Sequence, residues 1–147
     1  MEPSVLFKIA NSMALIGWIT IAVLHHRALT YKIVFNGIVL LLCLFYASAI
    51  AWALSSNGGS ADFGSLQGVM HLFTDPKAVL AGWVHYLAFD MVVGLTIVRS
   101  SAQHNINRFL VAPCLFFTFM FGPVGLLLYY ILLMIKQKRM LVSVFNE

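Results

Sequence analysis

Apolar residues run along this chain in long blocks broken by short polar stretches, and four blocks stand out, at residues 5–24, 34–54, 78–98 and 109–135. A helix needs about 20 mostly apolar residues to cross a hydrocarbon core of roughly 30 Å, and only helices or closed barrels satisfy the backbone there. The pattern therefore predicts an all-α fold, an integral membrane four-helix bundle forming a single membrane domain over residues 1–147. In the first block Lys8 lies near the start, where it can snorkel to the headgroups. The second ends in "YASAIAWALSS", whose small Ala47, Ser48, Ala49 and Ala51 would let a neighbouring helix approach closely. The fourth is the longest, with Pro113 in its first turn and "FGPVG" halfway along, so Pro123 is expected to kink a crossing helix.

Two of the connections, "HHRALTYK" and "RSSAQHNIN", are short and polar, whereas residues 55–77 form a long one. Within it Phe63, Leu66, Met70 and Phe73 recur at helical spacing. They predict either a short interfacial helix that ends before Pro76, or a loop whose apolar side chains plug the end of the bundle. Four crossings would put Lys8, Lys77, Lys136, Lys138 and Arg139 on one side against Arg27, Lys32, Arg99 and Arg108 on the other. That near-even split leaves the orientation open under the positive-inside rule. The two halves show no internal repeat, the usual sign of a secondary transporter.

Composition agrees with the block pattern. The chain is 61% hydrophobic and 10% charged, with a mean hydropathy of +0.92, against roughly 25% charged residues in a soluble domain. It reads as a multi-pass membrane protein in contact with membrane lipids. Cys43 and Cys114 fall inside apolar blocks and read as packing residues rather than as a disulfide framework or metal cluster. The C-terminal "KQKR" favours anionic headgroups and is no nucleic-acid site. The N-terminal "MEPSVLFKIANSM" lacks a basic region ahead of its apolar run, so no removable targeting peptide is expected.

Chemistry enters with the third block, "AVLAGWVHYLAFDMVVGLTIV", which carries His85 and Asp90 near its middle. An aspartate at a helix centre costs about 2.5–3.5 kcal/mol on insertion scales, so a partner, water or a ligand must offset it. His85 and Asp90 lie some 140° apart around a helix and about 7.5 Å along it, and form no intrahelical pair. Trp83 and Tyr86 share a face with Asp90, so the Tyr86 hydroxyl can reach the carboxyl group. In a packing role, Asp90 would be satisfied by Tyr86 and by Asn11, Thr20, Asn36, Ser48 or Thr118 of other helices. In a chemical role, an acid and an imidazole facing different ways would bracket a ligand held between helices and exchange protons with it without a metal. The remaining histidines, His25, His26, His71 and His104, show no ligand spacing for zinc.

At "GWVHYLAFD" (Gly82 to Asp90), followed by "PCLFFTFMFGPVGLLLYY" (Pro113 to Tyr130), the chain resembles the ABA4-like family of small membrane proteins, whose plant members are required to make neoxanthin. Trp83, His85, Leu87, Asp90, Pro123, Val124 and Gly125 carry the resemblance, which covers about residues 60–135. Where the plant pattern has an arginine this chain has Leu95, and Arg99, one turn later, is the candidate for its role. No chloroplast transit segment of the plant members' kind is expected from the sequence. The resemblance implies that the protein binds a carotenoid or other isoprenoid lipid and isomerises it, opening an epoxide to an allenic alcohol by acid/base catalysis without a cofactor. His85 and Asp90 would be the catalytic pair, with Trp83, Tyr86, Phe89 and Arg99 as substrate contacts and Phe116, Phe117, Phe119 and Phe121 along the polyene's path. The alternatives are a non-catalytic scaffold that stabilises a pigment or lipid enzyme complex, alone or as a homo-oligomer, and a proton or ion pathway through an oligomer.

Overall fold

The computed structural model describes residues 2–24, 28–56, 62–138 and 143–144, and these contain helices and no strands. Helix α1 spans Pro3–Val23. A short α2 (Ala28–Ile33), a π-helical turn (Val34–Val39) and α3 (Leu40–Ser56) continue one another into a second long rod. It begins earlier than the polarity of "HHRALTYK" suggested, because Leu29, Tyr31 and Ile33 extend the apolar run across Lys32; His25 and His26 lie outside the described residues. After α4 (Leu66–Leu72) comes α5 (Pro76–Gln103), which starts cleanly because Asp75 caps it, accepting from Lys77 N–H at 2.9 Å, with Pro76 in the first helical position. Three helices, Pro3–Val23, Leu29–Ser55 and Pro76–Gln103, are long and apolar enough to cross a membrane. Helix α5 is the central one, packed against α1, α3, α6 (Arg108–Phe121) and α7 (Pro123–Gln137).

The fourth expected crossing is corrected. Residues 109–135 are not one kinked helix but two short ones, α6 and α7, joined at Gly122, whose backbone sits at φ 45° and ψ −92°. At 1.5 Å per residue each arm is about 21–23 Å long, short of a roughly 30 Å core. The contacts show that the second arm runs back along the first. A Cβ on Gly125 would run into Thr118 and the Cys114 carbonyl of α6. Farther along α7, the fully buried Tyr129 donates its hydroxyl to Ser100 Oγ at 2.8 Å, and the Gln137 amide lies 3.1 Å from His104 Nδ1 at the end of α5. The Ser100 hydroxyl in turn donates to the Val144 carbonyl. Helices α6 and α7 thus form a hairpin that enters and leaves at the 104–107 end of the molecule, with its tip level with the middle of α5. Pro123 is not a kink inside a helix but the first residue of a new one, where its missing N–H and fixed φ cost nothing.

The hairpin changes the charge tally. Lys136 and Lys138 now join Lys32, Arg99 and Arg108 at one end, leaving Lys8 and Lys77 at the other with Glu2, Asp62 and Asp75; Arg27 and Arg139 lie outside the described residues. Under the positive-inside rule this tally predicts that the 104–107 end faces the cytoplasm. With Cys43 and Cys114 replaced by alanine, Gln67→Cys is expected to react with a membrane-impermeant maleimide on intact cells. Gln103→Cys is expected to react only after permeabilisation. The reverse labelling would overturn the orientation.

In the long connection, α4 forms where the period of Phe63, Leu66, Met70 and Phe73 placed a helix, and all four of these side chains are exposed rather than plugged into the bundle. Asp62 organises the turn before it. Its Oδ2 accepts from the Ser65 hydroxyl at 2.5 Å, its Oδ1 accepts from Gly64 N–H at 2.8 Å, and Ser65 Oγ accepts from Gly68 N–H at 3.0 Å as the helix cap. The Ser65 hydroxyl, then the Gly64 N–H, hold the Asp62 carboxyl below its usual range. A depressed folded pKa gives stability that is present above the unfolded value of about 3.9 and lost as pH falls through the folded one. The protection of the Gly64 and Gly68 amides, measured relative to the intrinsic exchange rate at each pH, is therefore expected to stay unchanged from pH 7 to about 4 and to fall below that.

Candidate intramembrane site

Spacings of three and four residues bring Trp83, Tyr86 and Asp90 onto one face of α5, pointing at α1 and the hairpin tip. Asp90 is 7% exposed, and its Oδ2 has no hydrogen-bond partner. The carboxyl group is pressed against the tip: a Cβ on Gly122 would collide with Oδ1 and come within 3.1 Å of Oδ2. Tyr86 lies beside Asp90 and turns its hydroxyl to the last turn of α6, 3.0 Å from the Met120 carbonyl and 3.3 Å from that of Phe119. The single phenol proton can go to the Met120 carbonyl or to the Asp90 carboxyl group beside it, so Tyr86 ties the acid to the hairpin tip.

The tip gathers both ends of broken helices, the last carbonyls of α6 and the first N–H groups of α7, beside one acid. Below the tip, the face of α1 and α5 is aromatic and polar. Trp83 donates Nε1–H to Asn11 Oδ1 at 3.1 Å, and its ring lies 5.4 Å from Phe7 and 5.4 Å from Tyr86. Trp83 remains 39% exposed there. Above the tip, Trp18 packs on Gly94, where a Cβ would come within 2.7 Å of its ring, and meets Phe119 edge-on at 5.6 Å.

The other expected site residues lie elsewhere. His85 is exposed on the opposite face of α5, its ring 4.5 Å from Phe89 and 5.3 Å from Tyr46 of α3. Arg99 sits over the Tyr31 ring at 5.8 Å, near the 104–107 end. The structure thus brings together Asp90, Tyr86 and Trp83, and separately His85 with Phe89. Four of the groups weighed as partners for Asp90 bond to other atoms: Asn11 to Trp83 and the Phe7 carbonyl, Thr20 to Ile16, Ser48 to Phe45, and Thr118 to Cys114. Asn36 is exposed. Gly122 is the neighbour that sequence reasoning missed as part of the site, although the Gly-Pro pair in "FGPVG" marked the place. Among the described residues no three His, Cys, Asp or Glu side chains come together.

Three long apolar helices, a helical hairpin and a buried acid halfway along the central helix fit a small polytopic membrane protein. Residues 5–129 match the ABA DEFICIENT 4-like family, and the chain belongs to this ABA4-like family. No match was found among curated proteins or solved structures.

Proposed function

We propose that this ABA4-like protein binds a carotenoid-type isoprenoid against the α1/α5 face beneath the hairpin tip and isomerises it, with Asp90 as the proton-transfer group. The observation that carries the reading is the buried Asp90 carboxyl, whose Oδ2 lacks a partner, with the half-buried Tyr86 beside it and the exposed Trp83 ring 5.4 Å beyond Tyr86. A buried polar atom without a hydrogen bond costs about 1–3 kcal/mol, which a ligand oxygen at that position would relieve. In the epoxide opening, Asp90 gives its proton to the epoxide oxygen as a ring C–O bond breaks. The adjacent vinylic carbon loses its proton to the carboxylate so formed, and the C–H electron pair completes the allene. Atoms and electrons balance within the substrate, and one carboxyl group serves as acid and then as base. Trp83 and Tyr86 would hold the end ring. His85, on the far face, is not needed for this step.

A second reading, a scaffold, is favoured by the Tyr86 hydroxyl bonded to the tip carbonyls, a contact that fixes the hairpin on α5. Product formation in a carotenoid-producing host separates the two. At equal expression, Asp90→Asn is expected to abolish conversion and His85→Gln to spare it. Conversion that survives Asp90→Asn would end the catalytic reading.

A further inference from the structure

On the other side of the tip the molecule carries a groove of about 490 Å³ between α1 and α6, lined by Trp18, Ile19, Ala22, Ala112, Phe116 and Phe119, with Arg108 at its end. This volume falls in the range of ligand sites. The groove differs from plain lipid-facing surface in three ways. Its walls are apolar and aromatic along their length, whereas Arg108 marks the end at the 104–107 turn, its guanidinium 5.0 Å over the Phe109 ring. From Arg108 to Phe119 the α6 wall rises about 16 Å, half of a roughly 30 Å core, so the groove is as deep as one leaflet. The described carboxylates, Glu2, Asp62, Asp75 and Asp90, all lie midway along the molecule or at its other end, so nothing acidic among them competes for Arg108.

From this geometry we infer that the α1–α6 groove is a binding site for one anionic phospholipid of the cytoplasmic leaflet, its phosphate on Arg108 and one acyl chain reaching Trp18 and Phe119 behind the hairpin tip. A long polyene does not fit a depth of one leaflet, and a zwitterionic lipid gains less from a lone guanidinium. The bound chain packs against Phe119, next to the carbonyl that faces Tyr86, so the lipid braces the hairpin from the side opposite the proposed substrate face. The inference stands apart from any role of Asp90 in catalysis.

The test uses the purified full chain with dioleoyl phosphatidylglycerol and dioleoyl phosphatidylcholine. Native mass spectrometry is expected to show phosphatidylglycerol retained about five-fold better, from one basic residue near the headgroup. Arg108→Gln is expected to level the two lipids, and Ala112→Trp to lose both. Quenching by phosphatidylglycerol with brominated acyl chains, taken as the difference between the wild type and Trp18→Phe, keeps the test independent of whether Ala112→Trp folds. Trp18 is expected to be quenched more strongly by this lipid than by brominated phosphatidylcholine. Equal retention in the wild type, a preference that survives Arg108→Gln, or equal quenching by the two lipids would overturn the inference.

Discussion

Gly122→Ala is expected to destabilise the protein by about 2–4 kcal/mol in equilibrium unfolding, more than a typical single substitution. Two costs add. Gly122 has φ 45°, a backbone region that L side chains rarely adopt, and the new methyl group would overlap the Asp90 carboxyl. The double-mutant cycle separates them, because in an Asp90→Ala background the collision disappears and the penalty should shrink to the backbone part, about 1 kcal/mol. Covalent trapping gives an independent reading of the same feature. The pair His104→Cys and Gln137→Cys should be joined by a bis-maleimide of about 10 Å span, because the two side chains meet at 3.1 Å across α5 and α7. If residues 109–135 crossed as one bent helix, those positions would stand roughly 30 Å apart and no cross-link would form. A neutral Gly122→Ala together with a failed cross-link would dismiss the hairpin and, with it, the recount of charges that orients the molecule.

How much of this was legible beforehand depends on what each feature writes into the chain. Three long apolar runs marked α1, the α2–α3 rod and α5, because hydropathy along a helix is local information. The face shared by Trp83, Tyr86 and Asp90 was equally legible from spacings of three and four, as was the separation of His85. The hairpin was not. Residues 109–135 are apolar throughout, and a kink and a reversal differ mainly in the dihedral angles of one glycine, which no hydrophobic pattern records. The trace that could have revealed it is the order of the pair, glycine at the end of one helix directly before proline at the start of the next. The Trp83–Asn11 bond joins residues 72 positions apart, and the hairpin residue pressed against Asp90 is a glycine with no side chain to suggest it. Such contacts exist only once helices have packed.

Replacing Asp90 is expected to separate stability from activity, and the direction of each change distinguishes the proposed roles. If Asp90 holds the bundle together, both Asp90→Asn and Asp90→Leu should lower the unfolding temperature, as breaking a satisfied buried interaction does. The structure argues for the opposite sign. Oδ2 is buried without a partner, and a leucine of similar shape removes an unsatisfied polar atom worth about 1–3 kcal/mol while keeping the contact with Gly122. Asp90→Leu is therefore expected to unfold at a higher temperature than the wild type, while turnover falls by about 10²–10⁴-fold, the usual contribution of a positioned acid or base. Asp90→Glu keeps the acid but moves it into the tip, so it should retain a fraction of the activity and lose stability through crowding at Gly122. A residue that weakens the fold and whose removal strengthens it is retained for what it does to a ligand. Thermal unfolding of the three variants beside a pigment-conversion assay reads both axes. Loss of stability in Asp90→Leu with conversion intact would leave Asp90 a packing residue and the protein a scaffold.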